Sequence, residues 1–297
     1  MNTTYKIMFG LFGLFFLNAC KPIQAYWLLT KTSSQSNFKE ELTFRLSEGL
    51  VVLEVVINSQ KYEFVMDTGA ALSVMDSSLS EQIFEKEKLQ IAITDAHGTR
   101  KKMAIYELDS LKIGEVLFQK IAFLSSQSNL FKQIGVHGII GANILKHAHW
   151  KIDFEHKQLS LSDSILDEKN VLYTPFKKRL GLPYLQIDYK NSRLKNVLFD
   201  IGYNGNLDIP LRKAQKNTHL KGFLKTHYQE ILNQESLFGQ KDIVCFMTTL
   251  DSLRTGNFYL KNTPIIIGKD NNLKIGIEPF RKNSLFLDYE NNRIGIR

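Results

Sequence analysis

The sequence predicts an all-β protein built from two homologous lobes. An apolar strand running into Asp-x-Gly occurs twice, further signals repeat behind it in the same order, and most of the chain from residue 40 on reads as short apolar or β-branched runs bounded by turn residues. Tyr62-Glu63-Phe64-Val65-Met66 leads into Asp67-Thr68-Gly69, and Asn196-Val197-Leu198-Phe199 leads into Asp200-Ile201-Gly202. Leu108-Asp109-Ser110-Leu111 returns as Leu250-Asp251-Ser252-Leu253, Gly141 returns as Gly276, and Asp153-Phe154-Glu155 returns as Asp288-Tyr289-Glu290. Four ordered matches mark an internal duplication. A pseudo-twofold axis between the halves would bring two carboxylates together.

In the first half, Val51 to Ile57 is apolar and β-branched apart from Glu54, and Asn58-Ser59 gives a hairpin signal before the strand that ends at Asp67. A short helix fits between Ser77 and Gln90. Ile91-Ala92-Ile93 and Met103-Ala104-Ile105-Tyr106 bracket a hairpin tip at Asp95 to Thr99. Ile113 to Phe118 and Ile121 to Leu124 read as strands, Asn143 to His147 as a short helix, and Trp150 to Phe154 with Leu159 to Leu161 as a closing hairpin. The join runs from Asp163 to Lys178. The second half repeats the plan, except that Leu211 to Glu235 replaces the short segment Asp76 to Gln90. There Leu220, Phe223, Leu224, Tyr228, Ile231 and Leu232 follow helical spacing and predict an inserted surface helix.

The ends and the composition bound the rest. Met1 to Cys20 reads as a targeting segment, because its apolar stretch from Ile7 to Leu17 is too short to span a bilayer as a helix. Leu17-Asn18-Ala19-Cys20 resembles the bacterial lipobox, which implies lipidation at Cys20 and anchoring in a bacterial cell envelope; an ordinary signal peptide ending near Ala25 is the alternative. The expected organisation is a signal peptide at 1–20, a flexible tether at 21–39, an N-terminal lobe at 40–165 and a C-terminal lobe at 166–297. Apart from Cys20, Cys245 is the only cysteine, so no intrachain disulfide is expected; its apolar surroundings make it a core residue. The net charge of +8 is scattered along the chain with no nucleic-acid motif behind it, so no nucleic-acid partner is expected.

Phe64-Val65-Met66-Asp67-Thr68-Gly69-Ala70 resembles the active-site strand of aspartic peptidases, retropepsin-like and pepsin-like. His137-Gly138-Ile139-Ile140-Gly141-Ala142 resembles the apolar-apolar-Gly segment that crosses behind that loop. The resemblance implies two acid-protease-like β-barrel lobes around a central cleft, with Asp67 and Asp200 as the catalytic dyad. It implies supporting roles for Thr68, Gly69, Ala70, Gly141 and Gly202, with the Thr68 hydroxyl bonding across to the other lobe. It also implies a flap at His97, Gly98 and Thr99 over an extended peptide or protein substrate, and a chain that works as a monomer without a cofactor. Lobe two departs from the pattern, because Ile201 carries no hydroxyl and Tyr203 stands where Ala70 stands in lobe one. Those departures keep a non-cutting, peptide- or partner-binding version of the same fold in view. A homodimeric dyad from two copies of Asp67 is made improbable by the covalently linked second lobe.

Histidines supply the rival chemistry. On a strand, His147 and His149 would share one face as a metal pair does, with His137 and His156 nearby in sequence. No carboxylate or Cys stands at a recognised ligand spacing and no His-Glu-x-x-His is present, so no metal is expected. Gly-x-Ser-x-Gly and phosphate-binding glycine loops are absent as well, which disfavours serine hydrolase and nucleotide chemistry.

Overall fold

The computed structural model describes residues 30–85, 89–95, 98–166, 168–226, 229–269 and 271–297, with the backbone of Met8 and Phe9. Cys20 and His97 lie outside the described residues.

Lobe one opens with β1 (Lys39–Thr43) and β2 (Arg45–Ser47). The hairpin of β3 (Leu50–Ile57) and β4 (Gln60–Met66) turns through Asn58 and Ser59, both left-handed at φ 49° and 65°. Next come β5 (Ser73–Asp76) and α1 (Ser77–Ile83), whose first turn is capped by the Asp76 side chain accepting from the Ser78 amide. The lobe continues with β6 (Leu89–Thr94), β7 (Arg100–Ile113), β8 (Val116–Ser126), α2 (Asn129–Ile134), β9 (Gly138–Ile140), α3 (Ala142–Leu145), β10 (His149–Asp153) and β11 (Gln158–Ser162). The strands pair in the order β8-β5-β9-β4-β3-β7, and β7 pairs back with β8, closing the sheet on itself. Closure leaves no free edge along this circuit and encloses apolar side chains such as Phe64, Phe118 and Phe123.

Lobe two repeats the circuit. Its elements are β12 (Leu172–Pro175), β13 (Lys177–Arg179), β14 (Leu182–Tyr189), β15 (Ser192–Phe199), β16 (Leu207–Pro210), α4 (Leu211–Lys216), α5 (Thr218–Thr226) and β17 (Glu230–Ser236). They are followed by β18 (Gly239–Thr255), β19 (Phe258–Gly268), β20 (Lys274–Ile275), a 3₁₀ turn at Glu278–Phe280, β21 (Ser284–Asp288) and β22 (Arg293–Ile296). The order β19-β16-β20-β15-β14-β18, with β18 returning to β19, matches lobe one strand for strand.

A six-stranded sheet ordered β12-β22-β21-β10-β11-β1 joins the lobes. At its centre Trp150 pairs with Leu287 and Ile152 with Leu285. The displacement that carries Asp153 onto Asp288 also carries Trp150 onto Leu285 and Ile152 onto Leu287, so it maps this pairing onto itself. Lys151 and Phe286, which face each other, therefore mark a pseudo-twofold axis. The repeated Asp-aromatic-Glu signal is the turn of the closing hairpins: Asp153 accepts from the His156 amide and Asp288 from the Asn291 amide, at 3.1 and 3.0 Å.

Two expectations change. The stretch 211–235 is not one helical insertion: its helices end at Thr226, and Glu230–Ser236 is a strand paired antiparallel with β18. Ile231 and Leu232 matched helical spacing by chance; Ile231 is 71% exposed on this strand. The expected tether 21–39 packs onto lobe one in its described latter part. Thr32 is buried, Ser33–Ser34 pairs with β8, Phe38 enters the core, and β1 starts at Lys39.

Candidate active site

Each Asp-x-Gly loop leaves a barrel strand at the same point of the circuit. In lobe one β9 lies parallel to β4 and antiparallel to β5, and the Asp67 amide donates to the Ile140 carbonyl at 3.0 Å. In lobe two β20 lies parallel to β15 and antiparallel to β16, and the Asp200 amide donates to the Ile275 carbonyl at 2.9 Å. Gly141 and Gly276 end the crossing strands against the two loops. A Cβ on Gly141 would lie 2.8 Å from the Ala70 carbonyl oxygen, and one on Gly276 would lie 2.4 Å from that of Tyr203. The amides that follow hold those carbonyls, Ala142 to Ala70 at 2.7 Å and Ile277 to Tyr203 at 2.9 Å.

This scaffold brings Asp67 and Asp200 face to face, both completely buried. Their carboxyls lie within hydrogen-bonding reach of each other, an interaction that needs one shared proton because two carboxylates only accept. Glycine is required on both loops. A Cβ on Gly69 would sit 2.6 Å from the Asp200 carboxyl carbon, and one on Gly202 would sit 2.3 Å from that of Asp67. Asp67 Oδ1 accepts from the Gly69 and Ala70 amides at 2.6 and 3.2 Å. Among the described residues, neither Asp200 oxygen receives a well-formed hydrogen bond from a protein donor, although the Gly202 amide is close enough to favour its charge.

Burial pushes the Asp67 carboxyl well above its ordinary value, and the Asp200 charge and the hydrogen bond with Asp200 push it further, against the pull of the two amides. Burial also pushes Asp200 up, to about 6, with Lys274 and the Asp67 hydrogen bond pulling the other way. The pair holds a proton far more readily than exposed aspartates do. One partner can thus act as an acid while the other acts as a base.

Thr68 ties the loops across the lobe boundary. Its hydroxyl donates to the Phe199 carbonyl at 2.7 Å and accepts from the Ile201 amide at 3.0 Å. Ile201, buried opposite, has no hydroxyl to return the pair. Tyr203 is also buried, and its hydroxyl donates to Asp208 Oδ1 at 2.8 Å.

Two hairpins, one from each lobe, meet. In β6–β7 the Asp95 amide donates to the Thr99 carbonyl at 3.0 Å, Gly98 turns at φ 79°, and Gly98 and Thr99 are exposed. The tip of β17–β18 reaches across: Ser236 donates to buried Asp95 at 2.6 Å, and Leu237 packs in the lobe-one cluster with Ile91, Ile93 and Met103. Sequence reasoning missed this second hairpin, although the repeat contained it. Aligning Leu108-Asp109-Ser110-Leu111 with Leu250-Asp251-Ser252-Leu253 sets Asp95 against Leu237.

The histidines do not gather. His147 lies in the turn before β10, so it shares no strand face with His149, and burial pushes it down to about 4. His149 lies 3.3 Å from both Asp288 and Glu290, His156 pairs with Asp153, and His137 accepts from the Glu63 amide. Among the described residues, no three His, Cys, Asp or Glu side chains converge as metal ligands.

Residues 53–147 match the family model described as gag-polyprotein putative aspartyl protease. No curated protein is significantly similar to the chain. The match runs from β3 to the turn after α3 and contains Asp67-Thr68-Gly69 and Gly138 to Gly141; Asp200 lies beyond it. Over these residues lobe one is similar to an aspartyl protease domain, and lobe two repeats its strand circuit.

Replacing Thr68 by Val removes both cross-lobe hydrogen bonds and leaves two buried backbone groups unpaired. The expected loss is about 2–4 kcal/mol in chemical denaturation, whereas Thr68→Ser keeps the hydroxyl and loses less than about 1 kcal/mol. Equal losses in the two variants would show that the hydroxyl does not tie the lobes.

Proposed function

We propose that the chain is an aspartic endopeptidase whose dyad is Asp67 and Asp200, in a two-lobed architecture of the pepsin type. The observation that carries this reading is the pair of buried carboxyls, each pressed against the glycine of the opposite loop. Two carboxyls this close share a single proton. The ionised partner takes a proton from a bound water as that water attacks the scissile carbonyl. The protonated partner donates a hydrogen bond to the carbonyl oxygen, where negative charge develops, and the departing amine then receives a proton as the C–N bond breaks. No covalent intermediate and no cofactor enter this scheme.

An extended peptide would run between the dyad loops and the two hairpins, held by main-chain hydrogen bonds with its side chains alternating into lobes one and two. Gly98 and Thr99, with His97, form the lobe-one flap in this reading. Substrate entry then requires the Asp95–Ser236 contact to part. Ala70 and Gly141 keep the lobe-one loop compact enough for that approach.

One observation favours a second reading, a peptide-binding protein of the same fold that does not cut. Lobe two lacks the reciprocal hydroxyl at Ile201, and its carboxyl lacks the second amide donor that Ala70 supplies to Asp67. A peptide-library digest from mildly acidic to neutral pH, read by mass spectrometry, separates the two. Wild-type protein is expected to cleave, and Asp200→Asn to lose cleavage by at least about a hundredfold. No cleavage by wild type at any pH would support the binding reading. Cleavage retained by Asp200→Asn would remove Asp200 from the mechanism and point to a dimer of Asp67 sites.

We further propose that Cys20 carries a lipid that anchors the protein, as a monomer, in a bacterial envelope. Metabolic labelling with an alkyne fatty acid is expected to mark the wild type and not Cys20→Ala. Equal labelling of both proteins would overturn the anchor.

A further inference from the structure

The lobes differ most sharply beside Asp200. Strand register makes Ile139 and Lys274 counterparts: Ile139 pairs with Val65 and Val74, and Lys274 pairs with Leu198 and Asp208. Ala70 and Tyr203 are counterparts as well, since each carbonyl accepts from the amide after the crossing glycine. Lobe one thus places Ala, Val and Ile behind its aspartate, and lobe two places Tyr203, Asp208 and Lys274 there. All six side chains are buried. The Lys274 ammonium lies 3.8 Å from the centre of the Tyr203 ring, and the Tyr203 hydroxyl holds Asp208.

A buried lysine carries a desolvation cost that an isoleucine does not, so the exchange calls for a compensating use. The loops supply one. The Ala70 amide donates to the Asp67 carboxyl, but its counterpart, the Tyr203 amide, donates to the Asp200 backbone carbonyl at 3.2 Å. The lobe-two carboxyl has lost an amide donor and gained a neighbouring cation.

We propose that Lys274 is a positioning residue of the dyad: its ammonium, seated on the Tyr203 ring, replaces the missing amide support and makes Asp200 the ionised partner. The shared proton then rests on Asp67. Asp200 is the base that receives the water proton, and Asp67 is the acid that faces the substrate carbonyl. The inference rests on the dyad of the proposed function and assigns its two roles. The electrostatics run the same way, because Lys274 favours the charged form of both Asp200 and Asp208. The other titratable groups acting on the pair are Asp208 and Tyr203 beside Asp200, and Tyr289 beside Asp67; the Cys245 thiol faces Tyr203 and Asp208.

Removing the cation disfavours ionised Asp200, and it leaves the Asp208 carboxylate to push in the same direction. The lower titration of the pair therefore moves to higher pH. The test is the pH profile of kcat/KM on a peptide found in the digest, run beside a ¹³C NMR titration of aspartate-labelled protein assigned with Asp200→Asn. Lys274→Met is expected to raise the acid limb and the lower carboxyl titration by about one pH unit or more, and Lys274→Arg to leave both at the wild-type value. Should Lys274→Met fold poorly, the double variant Lys274→Ile with Asp208→Val copies lobe one and is expected to shift in the same direction. An unmoved titration in folded Lys274→Met or in the double variant would overturn the proposal, even with cleavage intact. A shifted titration in a protein that cleaves nothing would sustain the role of Lys274 and overturn the peptidase reading.

Discussion

Two buried carboxyl groups that can keep only one negative charge between them set the terms for the rest of this molecule. Lost hydration pushes both toward the protonated form, and the Asp200 charge pushes Asp67 further, so the pair is held together by packing rather than by its own attraction. Everything around it keeps them from separating. Gly69 and Gly202 leave room for the opposite carboxyl, the crossing strands β9 and β20 fix the loop backbones, and the six-stranded sheet fixes one lobe against the other. The Thr68 hydroxyl adds hydrogen bonds to the Phe199 carbonyl and the Ile201 amide across the lobe boundary.

The duplication gives near symmetry in the backbone and asymmetry in the chemistry. Lobe one packs Ala70, Val74 and Ile139 as plain hydrocarbon behind a carboxyl held by two amides. Lobe two puts a cation, a carboxyl and a phenol in the same volume behind a carboxyl that lacks the second of those amides. In the proposed mechanism such a difference matters because general acid and general base are different jobs, and an unequal environment assigns them before substrate arrives. The hairpins are unequal too: Leu237 from lobe two is seated among lobe-one residues, so parting the hairpins exposes apolar surface as well as breaking the Asp95–Ser236 hydrogen bond.

Much of the fold was legible because duplication writes the same constraint twice. Asp153 and Asp288 open the same turn and Gly141 and Gly276 meet the same carbonyl, so the required residue types recur at matching places. Strand β17 was not legible. Its buried residues are the consecutive polar Gln234, Glu235 and Ser236 while Ile231 lies in solvent, so the strand shows no two-residue apolar alternation. The latter part of the expected tether was misread because its packing depends on single contacts, such as buried Phe38 and the Ser33–Ser34 pairing. At the site, Asp67 announced itself through its motif, and Asp200 through repetition alone. Lys274 and Asp208 were invisible. In sequence Lys274 follows Asn271-Asn272-Leu273 and reads as a surface lysine; only the register of β20 between β15 and β16 buries it.

The central claim is a single proton shared by Asp67 and Asp200, and neutron diffraction from crystals grown near neutral pH tests it most directly. The account predicts one hydrogen between the facing carboxyls, bound to Asp67 and directed at Asp200. Two separately solvated carboxylates with no hydrogen between them, or a proton on each, would contradict it.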